Sequence, residues 1–235
     1  MNQRKKKLCV IMQPTYLPWI GYFDLIKQSD IFVFLNDVQF SKQSWQVKNR
    51  IKNQGKELML TIPVKKSKLL TNLDSILIDN SKPWKKKHLK SIYYSYKRTQ
   101  FFEEVYPFIE KIILKRSNFL FEFNMQIIQI ISKRIFGFKK FIDSRGLNLN
   151  SNDKIDRIIK ICRKVGSEQY LSPDGALTYL KSLNYQKEFY ESSIGIKFHN
   201  YKPNEYSQLN KPFLPYLSIL DLLFNMGFDQ SKKII

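Results

Sequence analysis

Polar side chains follow the two apolar runs nearest the amino terminus, at the points where predicted strands end. Gln13 comes directly after Leu8–Met12, and Asp37 and Gln39 come shortly after Ile31–Leu35. Apolar runs without alternation are typical of strands covered on both faces of a parallel sheet. Because the carboxyl ends of parallel strands meet at one edge, we expect these three side chains to face one ligand crevice. Asp37 could there orient a substrate hydroxyl or ammonium group, while capping the turn after the strand is its structural alternative.

The loop between these strands adds aromatic side chains to the expected crevice. Tyr16, Trp19 and Tyr22 lie in or next to it, two prolines restrict its backbone, and Gly21 admits a close approach that a side chain would block. We expect Trp19 or Tyr22 to form a wall of the crevice. A hydrophobic turn with aromatic packing is the alternative interpretation of the same residues.

A second polar and aromatic group follows the second predicted strand. Its members are Gln39, Lys42, Trp45, Asn49 and Arg50. This composition suits stacking on the face of a base or sugar together with contacts to phosphate. We therefore expect these residues to bind substrate.

Acid or base chemistry near neutral pH favours histidine, and the chain has only two. His199 ends the predicted strand Ile194–His199, where catalytic and binding residues gather. It is therefore a catalytic candidate beside Asp37, and a structural role is its alternative. His88 lies in a run of lysines on a predicted helix, and we expect it on a solvated face.

The search for established motifs is mostly negative. No Walker loop, dinucleotide fingerprint, GxSxG elbow or cysteine–histidine nucleophile pair occurs, and the two cysteines and two histidines are too scattered for a zinc site. We therefore expect neither a metal nor another cofactor. Asp174 and Gly175 could form a second binding loop that faces the first across the sheet, although a plain Pro-Asp-Gly turn explains them equally well.

Further apolar and periodic segments predict the elements that would position these residues. Strands are predicted at Glu57–Val64, Ile76–Ile78, Lys140–Asp143, Tyr170–Ser172 and Ile194–His199, and helices at 82–97, 101–115, 119–136 and 217–224, with a further helix capped by Asp153 and closed by Gly166. The alternation predicts one α/β domain over residues 1–235, with a doubly wound, mostly parallel sheet of about five or six strands. We expect the helical segment 82–136 as an insertion between the two halves of the sheet.

The charge of the chain is strongly positive, at +20 in 235 residues. Such an excess could attract nucleic acid, anionic lipid, an acidic carrier protein or phosphorylated substrates, and lysines on solvated faces are the alternative explanation. Between Phe40 and Thr99, fifteen basic residues stand against three acidic ones. We expect six lysines of this region to contribute to one electropositive surface: Lys65, Lys66, Lys68, Lys85, Lys86 and Lys87.

The cysteines and the apolar runs bear on the compartment. Cys9 and Cys162 fall in apolar patterns, and we expect buried free thiols in a reducing cytoplasm. No apolar run is long enough to span a membrane, so we expect a cytoplasmic protein without a membrane span.

Two stretches carry a resemblance to a known family. QPTYLPWIGYFDLI, which begins at Gln13, and DIFVFLNDVQFSKQSW, which begins at Asp30, resemble the opening of the WbqC-like protein family. The likeness continues through IDNSKPWKKKHLKSI and covers nearly the whole chain. It implies a role in the assembly of bacterial surface polysaccharide, as in O-antigen biosynthesis.

The opening unit also resembles nucleotidyltransferase-type α/β folds such as that of pantothenate synthetase. In those proteins a loop after the first strand carries an HxGH motif that contacts ATP phosphates. Trp19, Ile20, Gly21 and Tyr22 occupy the corresponding spacing here, so the glycine is kept and both histidines are absent. The resemblance implies a nucleotide-shaped crevice without adenylyl-transfer chemistry.

These observations lead us to expect a transferase that moves an acyl or aminoacyl group to the amine of a nucleotide-linked amino sugar or acts on another phosphorylated small molecule. The acyl donor would be carried by coenzyme A, a carrier protein or tRNA. A non-catalytic binding or scaffold protein of the polysaccharide pathway is one alternative. A protein that uses aminoacyl-tRNA or associates with RNA is another, and the lysine-rich surface is its support.

Overall fold

The computed structural model describes residues 6–68, 70–151, 153–173 and 185–235. They fall into two compact units. The first comprises the described residues within Met1–Gln13, Asp24–Asn36 and Lys139–Lys202, and the second those within Pro14–Phe23, Asp37–Phe138 and Pro203–Ile235. The organisation of the chain as a single domain stays a prediction.

Seven strands and seven α-helices are defined in the described ranges. The strands are β1 (Leu8–Met12), β2 (Ile31–Phe34), β3 (Lys48–Asn53), β4 (Lys56–Thr61), β5 (Phe141–Asp143), β6 (Gln169–Ser172) and β7 (Gly195–Phe198). The helices are α1 (Ile20–Gln28), α2 (Trp84–Tyr96), α3 (Phe102–Ile113), α4 (Leu120–Phe136), α5 (Lys154–Lys164), α6 (Tyr185–Ser192) and α7 (Ile219–Ile234).

A five-stranded parallel sheet organises the first unit. Its strand order is β5-β2-β1-β6-β7, and all four pairs of neighbouring strands are parallel. The chain therefore runs outward from β1 through β2 and β5, and then continues on the other side of β1 with β6 and β7. This is the doubly wound α/β arrangement, in which ligands bind at the carboxyl ends of the strands where the order reverses, here β1 and β6. The predicted fold class is confirmed.

The core of the first unit explains why these segments become strands. Cys9 and Ile11 of β1 and Ile31 and Val33 of β2 are buried in one cluster with apolar residues of α5. Helix α5 begins at a cap in which the Asp153 carboxylate accepts hydrogen bonds from two backbone N–H groups, and its buried residues include Ile155, Ile158, Ile159 and Cys162. Both the cap and the apolar face of α5 are as predicted. Cys9 and Cys162 are buried free thiols, also as expected.

The second unit contains a hairpin that differs from the sequence-based expectation. The strand predicted at Glu57–Val64 forms as β4, but it pairs antiparallel with β3 in a separate two-stranded sheet. The turn between them, at Gln54 and Gly55, has φ values of 49° and 77°, as a two-residue hairpin turn requires. The segment predicted as a strand at Ile76–Ile78 makes only isolated bridges.

The helices of the second unit follow the predicted pattern with two differences. Gly137 ends α4 with a φ of 80°, as expected, and Ser218 caps α7. However, α7 extends to Ile234 and is interrupted at Gly227, whereas the prediction ended at Phe224. The sequence also predicts Ser81 as the cap of the helix at 82–97. Instead, Pro83 occupies the cap position of α2, and the Ser81 hydroxyl donates to Asp79.

No helix in the described part of the chain has the length and hydrophobicity needed to cross a membrane.

Candidate functional site

A buried histidine–aspartate pair lies at the carboxyl edge of the parallel sheet. His199 directly follows β7, and its backbone N–H donates to the carbonyl of Ser172 at the end of β6 (2.9 Å). Its Nε2 lies 2.6 Å from Oδ2 of Asp24, with side chains 3% and 13% exposed. Asp24 lies on α1, and Gln28, one turn later, donates from Nε2 to the same oxygen at 2.6 Å. Two elements of the first unit therefore hold one carboxylate against one imidazole.

This geometry determines what the imidazole can do. A carboxylate that accepts from Nε2–H fixes the tautomer of a neutral ring, and protonation of Nδ1 would then give the imidazolium. The same carboxylate stabilises the imidazolium that results, as in catalytic histidine–aspartate pairs on unrelated folds. The ring of Tyr201 lies 5.7 Å from that of His199, nearly parallel to it, and restricts its rotation. The pair is therefore suited to general acid–base chemistry.

A second polar cluster at the same edge is structural. Asn36, after β2, donates from Nδ2 to Oδ1 of Asp143 at the end of β5 (2.9 Å), and the guanidinium of Arg145 donates to Oδ2 at 2.8 and 3.0 Å. Burial alone would raise the pKa of Asp143, but these hydrogen bonds outweigh it and hold the pKa below its usual value. The carboxylate therefore remains ionised and joins the ends of two neighbouring strands.

Tyr16, a predicted binding residue, lies in the core of the second unit. It is fully buried, and its hydroxyl lies 2.9 Å from Nδ1 of His88, whose Nε2 lies 3.1 Å from the carbonyl of Thr61. The prediction of a solvated His88 is therefore wrong. A carbonyl can only accept, so Nε2 carries the proton and Nδ1 accepts from Tyr16. Burial raises the pKa of Tyr16 and lowers the pKa of His88 to about 4. Tyr22 is also buried.

Asn49 holds the loop that carries Tyr16. Its Nδ2 donates to the carbonyls of Tyr16 (3.0 Å) and Leu17 (2.9 Å), and its Oδ1 accepts from the backbone of Arg50 (2.8 Å). Leu17 has a φ of 42°, and its carbonyl also accepts from the hydroxyl of Ser218 (2.8 Å). The amide of Asn49 thus fixes backbone, which is a sufficient reason for a buried asparagine in β3.

The exposed members of the predicted binding set lie on the surface of the second unit. Trp45 is exposed, and the guanidinium of Arg50 lies 5.7 Å from its ring while it pairs with Glu57 at 2.8 Å. Gln39 and Lys42 are also exposed, and Asp37 is half-buried. Trp45 and Arg50 are thus brought together, and their binding of substrate stays a prediction.

The other predicted site residues have different positions. Trp19 packs near Tyr216, with ring centroids 5.4 Å apart, and a Cβ added at Gly21 would lie 2.2 Å from its ring, so the expected close approach at Gly21 is confirmed. Gln13 follows β1 in the first unit, whereas Asp37 and Gln39 belong to the second. Their convergence in one crevice stays a prediction. Asp174 and Gly175 lie outside the residues that the structure describes.

Asp24 is the site residue that the sequence analysis missed. Its carboxylate stands in the run Tyr22–Ile26, whose other members are all buried apolar or aromatic side chains. A charged residue in such a run needs a partner, and this requirement was the available signal. Its partner is 175 residues away in the sequence, so spacing alone could not identify it.

Asp221 is another buried carboxylate, and it lies in the second unit. It accepts hydrogen bonds from the hydroxyls of Tyr96 (3.0 Å) and Tyr206 (2.8 Å). Burial raises its pKa to about 6 although both hydroxyls act in the opposite direction. Lys52 is buried nearby, and its ammonium donates to Gln208 and to two backbone carbonyls of the segment before α7. This network fastens that segment to β3.

Within the described ranges, no group of three or more histidine, cysteine, aspartate or glutamate side chains is placed to hold a metal ion.

Comparison with known proteins assigns the chain to a family. The model of the WbqC-like protein family matches residues 13–233. An uncharacterized protein of Mycobacterium tuberculosis is 30% identical over 224 residues, which cover 94% of this chain and 94% of that protein. No solved structure matches the chain. The protein therefore belongs to the WbqC-like protein family.

Proposed function

We propose that the protein is a transferase of bacterial surface polysaccharide biosynthesis, which moves an acyl or aminoacyl group to the amine of a nucleotide-linked amino sugar. The observation that carries this proposal is the contact of 2.6 Å between His199 and Asp24 at the carboxyl edge of the parallel sheet. Membership of the WbqC-like family supports the pathway. The donor would carry its acyl group on coenzyme A, on a carrier protein or on tRNA.

The chemistry of amide formation needs a base of this kind. The sugar amine must be neutral to attack, and its lone pair then forms a C–N bond to the carbonyl carbon of the donor. The bond from that carbon to the sulfur or oxygen of the donor breaks and leaves with its electron pair. The surplus proton on nitrogen passes to Nδ1 of His199 and from there to the departing sulfur or oxygen. Asp24 holds the ring in the required tautomer and stabilises the imidazolium.

A non-catalytic binding protein is the second candidate. The observation in its favour is the burial of His199, since a side chain 3% exposed also fits a purely structural ion pair. In that case the protein would hold or deliver a pathway intermediate without converting it. Binding without turnover distinguishes this candidate from the transferase.

Mass spectrometry of reaction mixtures tests the proposed function. The purified chain is incubated with nucleotide-linked amino sugars, each combined with an acyl-coenzyme A, an acyl-carrier protein or an aminoacyl-tRNA. The transferase predicts a sugar nucleotide whose mass has increased by one acyl group, from one class of donor. A protein that binds the sugar nucleotides and converts none of them would be assigned to the binding candidate, and the transfer proposal would be abandoned.

A further inference from the structure

A basic pocket of about 470 Å³ lies in the second unit, between the segment that leads into α2 and the segment that follows α3. Its volume is within the range of small-molecule sites. Four cationic side chains line it: Lys82, Lys85, Lys86 and Arg116. Asn80, Ser117 and Asn118 add polar groups to its wall. The sequence-based expectation of an electropositive surface included Lys85 and Lys86 but neither Lys82 nor Arg116.

The positive charge of this pocket is largely uncompensated. Lys82 pairs with Asp79 at 3.3 Å. Among the described residues, no carboxylate lies within ion-pair distance of Lys85, Lys86 or Arg116. Three cations therefore share one concave surface without a protein counter-charge. Like charges held together repel one another, and a bound anion would remove that cost.

Lys85 is held in the pocket rather than extended into solvent. Its ammonium donates to the carbonyl of Lys115 and lies 5.5 Å from the ring of Trp84 and 5.3 Å from that of Phe123. Burial lowers the pKa of Lys85, and the charge of Arg116 lowers it further. The charges of Lys85 and Arg116 are thus close enough to interact. Lys85, fixed in this way beside Arg116 in the pocket wall, is pre-organised for an anionic group that would bridge the two cations.

A second depression, of about 630 Å³, adjoins the basic pocket and shares Lys86 and Leu114 with it. Three tyrosines line it, of which Tyr93 is 40% and Tyr94 58% exposed. Exposed aromatic rings beside cations are the composition that stacks on nucleobases while phosphate is bound nearby. Glu110 also lines this depression and offers a carboxylate to ribose hydroxyls.

We propose that this joint surface binds the nucleoside diphosphate part of a ligand. The diphosphate lies between Lys85, Lys86 and Arg116, and the nucleoside packs against Tyr93 and Tyr94. A diphosphate matches the three uncompensated cations better than a single phosphate does, because it carries more negative charge. The inference rests on the second unit alone and on none of the transfer chemistry assigned to His199.

Isothermal titration calorimetry with four variants tests this site. The ligands are uridine diphosphate, adenosine diphosphate and inorganic pyrophosphate. The pocket variant combines Lys86→Gln with Arg116→Gln. Both residues are exposed, and the two substitutions leave the contacts of Lys85 with Lys115, Trp84 and Phe123 in place. Its control combines Lys56→Gln with Lys133→Gln, which remove the same charge from exposed positions outside both depressions. Tyr94→Ala is compared with Tyr190→Ala, an exposed tyrosine of the first unit.

The expected result is binding of at least one nucleoside diphosphate that the pocket variant weakens by about tenfold or more. The lysine control should stay within about twofold. Tyr94→Ala should weaken the nucleoside diphosphate but not pyrophosphate, and Tyr190→Ala should weaken neither. Equal losses in the pocket variant and its control would overturn the site, because they indicate diffuse attraction to a basic protein. No binding of any probe, or pyrophosphate bound as tightly as the nucleotides, would overturn the nucleotide assignment.

The outcomes for this site and for the transferase can be distinguished. His199→Gln should leave the affinity for the nucleoside diphosphate unchanged. A chain that binds nucleotide but transfers no acyl group would support the nucleotide site and refute the transferase proposal. A chain that transfers an acyl group but binds neither nucleoside diphosphate would do the reverse.

Discussion

The two histidines of the chain are both buried, and the groups that contact them differ in charge. His88 lies against a tyrosine hydroxyl and a backbone carbonyl, neither of which carries charge. His199 lies against the carboxylate of Asp24. An imidazolium is therefore disfavoured at the first position, whereas the second position pairs the ring with an acidic group that can orient it for proton transfer. This contrast is why a proton-transfer role is assigned to His199 and a structural role to His88.

His88 should make stability increase with pH below neutrality. Its pKa is about 4 in the folded protein and near 6.5 when exposed. Between these values the unfolded chain binds a proton that the folded chain does not, so stability present above pH 6.5 is lost as the pH falls towards 4. Relative to His88→Gln, the wild-type protein should lose up to about 3 kcal/mol over this window. Urea unfolding of both proteins at several pH values measures the difference, and parallel curves would contradict a buried neutral imidazole.

Asp221 should have the opposite effect on the pH dependence of stability. Its pKa is raised from 3.8 to about 6 in the folded protein, so between these values the folded chain keeps a proton that the unfolded chain has lost. Stability present below pH 4 is therefore lost as the pH rises through 6. Relative to Asp221→Asn, the wild-type protein should gain on the order of 3 kcal/mol on acidification from pH 7 to 4. Urea unfolding of the wild-type protein and Asp221→Asn at several pH values measures this gain. A difference in stability between the two proteins that does not change with pH would show that the carboxylate is solvated.

At the level of elements, the strands of the parallel sheet could be predicted and the hairpin could not. β1 and β2 are continuous apolar runs because both of their faces are covered, which leaves a clear pattern in the sequence. β3 is Lys48–Asn53, and its buried positions include Asn49 and Lys52. Those polar side chains are satisfied by segments distant in sequence, so no local pattern of hydrophobicity identifies the strand.

The candidate site was predictable to a similar extent. A histidine at the end of β7 follows from the rule that ligands bind at the carboxyl edge of parallel strands. Its partner depends on how α1 meets that edge in three dimensions. Tyr16 and Asn49 have the chemical types of binding residues, but the hydroxyl of Tyr16 contacts the buried ring of His88 and the amide of Asn49 fixes the backbone of a loop. Burial distinguishes a structural role from a binding role, and residue type alone does not predict which side chains are buried.

The turn of the hairpin should be intolerant of a side chain. Gly55 has a φ of 77°, and an added Cβ would lie 2.8 Å from the backbone carbonyl of Lys211. Gly55→Ala should therefore destabilise the protein by more than the roughly 1 kcal/mol expected from a positive φ alone. Gly166→Ala, at a φ of 70° with open space, controls for the backbone, and Gly146→Ala, with neither feature, should be nearly neutral. Thermal unfolding of the three variants measures how much stability each one loses. Equal losses of stability in Gly55→Ala and Gly166→Ala would refute the contact with Lys211.

At the scale of the whole molecule, the match to the WbqC-like family spans residues 13–233 and therefore includes residues of both compact units. The histidine–aspartate pair belongs to the first unit and the basic pocket to the second. A net charge of +20 gives the chain a general attraction for anions, and salt screens such attraction at exposed sites. Variants matched in charge are therefore needed to distinguish specific binding and turnover from this general attraction for anions.

The most direct test of the transfer proposal is kcat of His199→Gln and Asp24→Asn on the substrate pair that the mass-spectrometric screen identifies. Asp37→Asn is the matched carboxylate variant, and thermal unfolding confirms that each protein is folded. The account predicts that His199→Gln lowers kcat by about 10²- to 10⁴-fold. Asp24→Asn should also lower kcat and change the dependence of kcat on pH, which a structural role would not do. A folded His199→Gln protein with the kcat of the wild type would contradict the account, and loss of activity in Asp37→Asn alone would transfer the catalytic role to that carboxylate.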